Sequence, residues 1–307
     1  MKFRQLGKSG PRVSVIGIGT WQFGGEWGKD FTQPEADRIL GRAHDLGINL
    51  IDTAECYGDH LSEEMVGRAV RHNRQDWIIA TKFGHRFNGR FERDQVWSPD
   101  EVRQQLEDSL RALGTDTIDL YQFHSGSDED FDQPELWAML AEQVQAGKIR
   151  ALGLSISPNT NIYQTARADS VGASAIQVVY NRLDRVPEDE VLPACIEHDL
   201  GVLARVPLAS GLLSGKYQPG TRFTDSTDVR SLRDDAKVQA QLDEVAAIKA
   251  EEVPDGVDMA TWALAWCLAH PAVTCVIPGC KSPEQVEANA RAADLNMVSP
   301  EHPQAVE

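Results

Sequence analysis

Cations are scarce in this chain: 30 Lys and Arg stand against 47 Asp and Glu, for a formal net charge of -17. So acidic a surface repels phosphate backbones and anionic headgroups, which argues against nucleic acid and membrane as partners. Long apolar runs are also missing. The longest, Trp262 to Ala269, falls far short of the roughly 20 residues that span a bilayer. Met1-Lys2-Phe3-Arg4-Gln5-Leu6-Gly7 lacks the apolar core of a signal peptide. Cys56, Cys195, Cys267, Cys275 and Cys280 form no Cys-x-x-Cys pair and no zinc-ligand spacing, so they read as reduced thiols of a cytoplasmic protein. No Pro/Gly/Ser-rich linker interrupts the chain, and one domain over residues 1–307 is expected. No Gly-x-Gly-x-x-Gly follows a strand, which counts against an open doubly wound sheet.

What the chain does have is a regular alternation of short apolar runs and amphipathic stretches. Phe3–Leu6 and Arg12–Ile16 flank a turn cluster and read as a β-hairpin. Eight strand candidates then follow: Gly17–Thr20, Gly47–Ile51, Trp77–Thr81, Thr117–Phe123, Ile149–Ser155, Ala175–Asn181, Gly201–Arg205 and Val273–Ile277. Helix starts such as Ser98-Pro99-Asp100-Glu101, with a capping Ser, Pro in the first turn and Glu closing the box, stand between them. The pattern predicts an α/β fold, a (β/α)8 TIM barrel with an N-terminal β-hairpin. An extra helix, Ala236 to Glu252, falls between strand seven and its helix, Met259 to His270. Phe83 to Trp97 is long for a strand-to-helix connection, and Asn88-Gly89 between two Arg-Phe pairs predicts a small hairpin flap turning there.

Chemistry gathers at the carboxyl ends of barrel strands. Here the second strand ends in Asp52, with Tyr57 five residues on, the third in Lys82 and the fourth in His124. Singly, these would read as a cap, a packing ring and a hydrogen-bonded core histidine. In this order and spacing, with Asp-Thr-Ala-x-x-Tyr-Gly, Thr-Lys, Asp-Leu-Tyr-x-x-His, Ile277-Pro278-Gly279 and Asn289, the chain resembles the aldo-keto reductase superfamily from Arg4 to about Asp294.

The resemblance implies a catalytic tetrad of Asp52, Tyr57, Lys82 and His124, with Tyr57 as proton donor to a carbonyl and no metal. Free tyrosine, with a pKa near 10, is a poor acid. Before desolvation costs, an ammonium about 4 Å away favours the phenolate by roughly 4 kcal/mol at an effective dielectric of about 20, so the Lys82 interaction taken alone lowers Tyr57 by about two units or more. Asp52 keeps Lys82 charged, and a neutral His124 orients the carbonyl.

The resemblance also implies a nicotinamide cofactor, NADP(H) with NAD(H) as the alternative. Its contacts would come from Gly19, Thr20 and Trp21, from Ser155 and Gln177 at the carboxamide, and from Pro207, Leu208, Gly211, Leu212, Ser214 and Lys216 around the pyrophosphate. Gly279, Lys281, Ser282, Gln285 and Asn289 would hold the adenosine end. Three positions depart from the common pattern: Ile156 follows Ser155, Gly279 follows Pro278, and Gln285 stands where relatives carry arginine. A fourth, Arg205, replaces a tyrosine that stacks on the nicotinamide, and its charge should favour the reduced ring. Trp21, Phe23, Trp27 and Phe83 are the expected substrate wall.

The expected function is reduction of small aldehydes or ketones, or oxidation of the corresponding alcohols or sugars, by a monomer or homo-oligomer. An NAD-linked polyol or sugar dehydrogenase is the alternative within enzymes. A cofactor-binding regulatory β-subunit of a potassium channel is the alternative outside them.

Overall fold

The computed structural model describes residues 1–306. Strands β1 (Phe3–Gln5) and β2 (Arg12–Ser14) form the antiparallel hairpin. Its turn carries Gly7 at φ +67°, where a Cβ would lie 2.5 Å from the Ser174 carbonyl oxygen. Only glycine lets the hairpin approach so closely. Leu6 and Val13 pack inside a cluster with Leu50, Ala80, Leu120, Ala175 and Leu203, so the hairpin plugs one end of the barrel.

The chain continues through β3 (Ile18–Gly19), α1 (Gln33–Asp45), β4 (Leu50–Asp52), α2 (Leu61–Val70), β5 (Ile78–Phe83), β6 (His85–Gly89), β7 (Glu92–Gln95), α3 (Pro99–Leu113) and β8 (Ile118–His124). It then runs through α4 (Asp128–Phe131), α5 (Pro134–Gln145), β9 (Ile149–Ser155), α6 (Ile162–Ala166), β10 (Ala173–Val179), α7 (Val191–Glu197) and β11 (Gly201–Arg205). The last elements are α8 (Asp235–Glu251), α9 (Met259–Ala269), β12 (Val273–Val276), α10 (Pro283–Ala290) and β13 (Ala305–Val306), which pairs with β1. Helix α8 is the extra helix expected before α9. No described helix is long and apolar enough to cross a membrane.

Strands β3, β4, β5, β8, β9, β10, β11 and β12 lie side by side in that order, all parallel. Parallel bridges Ile16–Val276 and Gly19–Gly279 join the two edges, with the Gly17 amide 2.8 Å from the Val276 carbonyl oxygen. Closure leaves no free edge on the barrel. These strands are almost wholly buried on both faces, which is why they read as continuous apolar runs rather than alternating ones.

The flap does form, from β6 and β7, but its turn is not at Asn88-Gly89. Phe87 pairs with Arg93 and Gly89 with Glu92, so Arg90 and Phe91 make the turn, and Phe91 takes φ +67°. A distant acceptor sets this register. One oxygen of Glu26 accepts from the Phe91 amide at 2.9 Å and from Arg93 Nη2 at 2.6 Å.

Candidate active site

Strand alternation aims Lys82 into the barrel mouth, while β4 delivers Asp52 and β8 delivers His124. Tyr57 lies in the turn after β4. Gly24 sits so close beneath it that a Cβ there would lie 2.7 Å from the Tyr57 carbonyl carbon, which fixes the loop after β3 against that turn.

Lys82 Nζ donates to Asp52 Oδ2 at 2.8 Å, to the Thr53 carbonyl at 2.7 Å and to Tyr57 Oη at 3.3 Å. The other Asp52 oxygen accepts from Gln177 Nε2 at 2.7 Å and Gln122 Nε2 at 3.2 Å. Burial alone would lower the Lys82 pKa, but Asp52 and Tyr57 raise it above the ordinary lysine value, so the ammonium is secure.

At Tyr57, burial and Lys82 oppose each other. Burial pushes its phenol up to about 12, and Lys82 pulls it only part of the way back because the Asp52 anion stands close by. Lys82 lowers the phenol as expected of that interaction, but the desolvation set aside in that reckoning outweighs it. Trp21 stacks over the ring at 5.9 Å and 20°. His124 is held well below its usual pKa by burial, then by His85, Lys82, Arg205 and Arg93, so its imidazole is neutral. His85 lies on it at 4.4 Å and 18°, its own pKa lowered to about 4 by burial, Arg93 and Lys82.

The tetrad opens into a cleft of about 680 Å³. Of the residues named from the sequence, Gly19, Thr20, Trp21, Trp27, Gln177, Arg205, Pro207, Leu208, Gly211, Ser214, Lys216, Gly279, Lys281, Gln285 and Asn289 line it. Others do not. Phe23 is 1% exposed and packs on Phe31, because the short 3-10 turn Trp21–Gly24 points it inward. Phe83 follows Lys82 and so faces the helices, against Tyr121 at 4.8 Å. Leu212 enters a core cluster with Leu242 and Trp262, since positive φ at Ser210 and Gly211 turns the backbone, not this side chain, toward the cleft. Ser155 is buried behind Gln177, its Oγ 3.4 Å from Gln177 Oε1, and Ser282 caps α10.

Sequence reasoning missed Glu26, His85, Arg93, Tyr217 and Arg230, all of which line the cleft. Buried Glu26 also accepts from Trp21 Nε1 at 2.6 Å, tying the flap to the wall beside Tyr57. Arg230 pairs with Asp228 at 2.6 Å and lies over the Phe223 ring at 4.2 Å. Trp27 and Asp228 form a bridge, and the Val229 amide donates to the Glu26 carbonyl at 2.9 Å, so two distant loops meet across the cleft.

This donor set fits a dinucleotide. Gln177 Oε1 has only the long Ser155 contact and can accept from a carboxamide. Lys216, Arg230 and Lys281 gather at the far end, in a chain of net charge -17. Cys56, His85 and His124 offer ligand atoms within 4.8 Å of one another. The two imidazoles stack with their ring planes only 18° apart.

Behind the flap, burial and the nearby Glu63 raise the Glu55 carboxyl to about 8, although one oxygen accepts from the His85 amide at 2.9 Å. The other has no partner. Between the ordinary 4.5 and about 8 the unfolded chain has released this proton and the native chain has kept it, so stability falls as pH rises through that window. Glu55→Gln cannot ionise. Thermal melts should therefore show the variant gaining on the wild type between pH 5 and pH 8; an equal offset at both values would place the ionisation outside this window.

The Aldo/keto reductase family profile matches residues 15–307. The uncharacterized oxidoreductase YqkF of Bacillus subtilis (strain 168) is 35% identical over 100% of this chain and 96% of its own. The NADH-specific methylglyoxal reductase of Escherichia coli (strain K12) is 33% identical, over 97% of this chain and 95% of its own. The holo form of aldo-keto reductase AKR11C1 from Bacillus halodurans superimposes with a TM-score of 0.80 at 35% identity, covering 99% of this chain and 94% of that one.

Proposed function

The chain belongs to the aldo/keto reductase family, and from that premise we propose an NADP(H)-dependent reductase of small aldehydes, ketones or sugars that runs in reverse on the corresponding alcohols. The observation that carries this reading is the buried chain from Asp52 through Lys82 to Tyr57, with links of 2.8 and 3.3 Å, opening beside a neutral His124. When bound, the reduced cofactor supplies hydride to the carbonyl carbon. Tyr57 gives its phenolic proton to the carbonyl oxygen, and His124 orients that oxygen with a hydrogen bond. Lys82 tempers the phenol, and Asp52, itself held by Gln122 and Gln177, keeps Lys82 in place. Trp21 stacks over Tyr57 and the flap residue His85 over His124, so each reacting side chain is covered on one face. Five buried free thiols suit the cytoplasm as its compartment.

The test is the loss of NADPH absorbance on adding 4-nitrobenzaldehyde, followed by a screen of carbonyls, alcohols and sugars. The Escherichia coli relative's name makes methylglyoxal with NADH an apt member of that screen. Turnover with no carbonyl or alcohol, under either cofactor, would sink the reading.

Lys281 supports NADP(H). Its pKa is lowered by burial and by crowding from Arg230, although its Nζ donates to the Trp27 carbonyl at 2.7 Å. A 2′-phosphate would relieve that crowding. A charge-assisted hydrogen bond is worth roughly 1.5–3 kcal/mol, so Lys281→Ala should weaken NADPH about tenfold or more. NADH should hardly change. Paired dissociation constants from fluorescence titration decide it, and equal losses for both cofactors would move the 2′-phosphate elsewhere.

A further inference from the structure

Arg205 ends β11, paired in register with Val179 of β10. Its side chain lines the cleft between the tetrad and the loop Val206–Lys216. The flap residues His85 and Arg93 come from the other side of the barrel, between β5 and β8. Two of the cations around the tetrad are matched: Lys82 by Asp52 at 2.8 Å and Arg93 by Glu26 at 2.6 Å. Arg205 is not. Among the described residues it forms no ion pair; its Nη2 reaches only the Ile156 carbonyl at 3.4 Å, and its buried Nε has no partner. A guanidinium stays charged at any physiological pH. An unmatched charge at this depth is costly to keep, so its field falls on whatever occupies the cleft.

We propose that Arg205 discriminates between the oxidation states of the cofactor, disfavouring the cationic oxidised ring and accepting the neutral reduced one. The inference rests on the reductase reading above. The ring that gives hydride must lie within reach of a carbonyl held by Tyr57 and His124, and Gln177 Oε1, met only by Ser155 Oγ at 3.4 Å, can accept from its carboxamide. Both conditions bring it to the ends of β10 and β11, where Arg205 stands. A planar guanidinium lies well against a neutral aromatic face. Against a pyridinium the same plane brings like charges together. The reduced cofactor is thereby favoured on entry and the oxidised one is released readily, which biases the protein toward carbonyl reduction.

Dissociation constants for both oxidation states, from quenching of tryptophan fluorescence, test this in the wild type, Arg205→Leu and Arg205→Lys. Unit charges in stacking contact, about 4 Å apart at an effective dielectric of about 20, repel more strongly than a tenfold change requires, and solvent and salt in the open cleft screen part of this. Arg205→Leu should therefore tighten the oxidised form about tenfold while moving the reduced form by less than about threefold. Arg205→Lys, which keeps the charge, should keep the wild-type ratio. The same ratio in all three proteins would overturn the proposal. So would a loss in Arg205→Leu confined to the KM of carboxylate-bearing carbonyls, which would make Arg205 a substrate anchor. A wild type that binds neither form would overturn the function reading and this inference with it, a result distinct from tight binding at an unchanged ratio.

Discussion

Replacing Tyr57 with Phe should leave the fold and the cofactor affinity intact while costing roughly 10²–10⁴-fold in reductase turnover. The ring stays, so its stack with Trp21 at 5.9 Å stays. Only the oxygen goes, and with it the 3.3 Å hydrogen bond from Lys82. Lys82 keeps Asp52 and the Thr53 carbonyl as partners, so no buried group is stranded. The loss should therefore appear in kcat, with the dissociation constant for NADPH and the melting temperature near their wild-type values. His124 cannot take over. Its pKa lies well below the usual range, so at neutral pH it carries no second proton to give. A variant turning over at near wild-type rate would remove Tyr57 from the acid role.

The tetrad could be read from the sequence because strand ends follow from local pattern. Apolar runs ending in Asp52, Lys82 and His124 need only the parallel-barrel rule to bring those ends together. The same alternation, applied one residue further, turns Phe83, one of the expected wall residues, away from the cleft. What the sequence hides is set by contacts between distant loops. Glu26 chooses the flap register through Phe91 and Arg93, and Trp27 meets Asp228 across the cleft. No periodicity links such positions, so the turn at Arg90-Phe91 and the wall made by His85 and Arg93 had no local signal. The Tyr57 phenol shows the same limit in energetic form. The chain names its cation, but burial depends on Trp21 and the loops folded over it.

Removing that cation with Lys82→Met should have the second large effect, and it should act on both rate and stability. Lys82 is the nearest group that lowers the Tyr57 pKa, so without it the phenol rises further above about 12. In the reductive direction a weaker acid gives a lower rate, and because the phenol is fully protonated at neutral pH that rate should vary little between pH 6 and 9. In the oxidative direction Tyr57 must act as the base. Below its pKa the phenolate fraction grows about tenfold per pH unit, so alcohol oxidation should climb across the alkaline range in both proteins. The variant's line should run below the wild type's, because a higher pKa leaves less phenolate at every pH. Stability falls for a separate reason. Asp52 is buried and would keep only Gln122 and Gln177 as donors. Stranding one member of a buried ion pair typically costs about 3–5 kcal/mol. Those two amides offset part of this, so a drop in denaturation midpoint at the lower end of that range is expected. Rate profiles in both directions and a urea titration make the measurement. Oxidation profiles that superimpose, with equal urea midpoints, would show that Lys82 neither tunes Tyr57 nor balances Asp52.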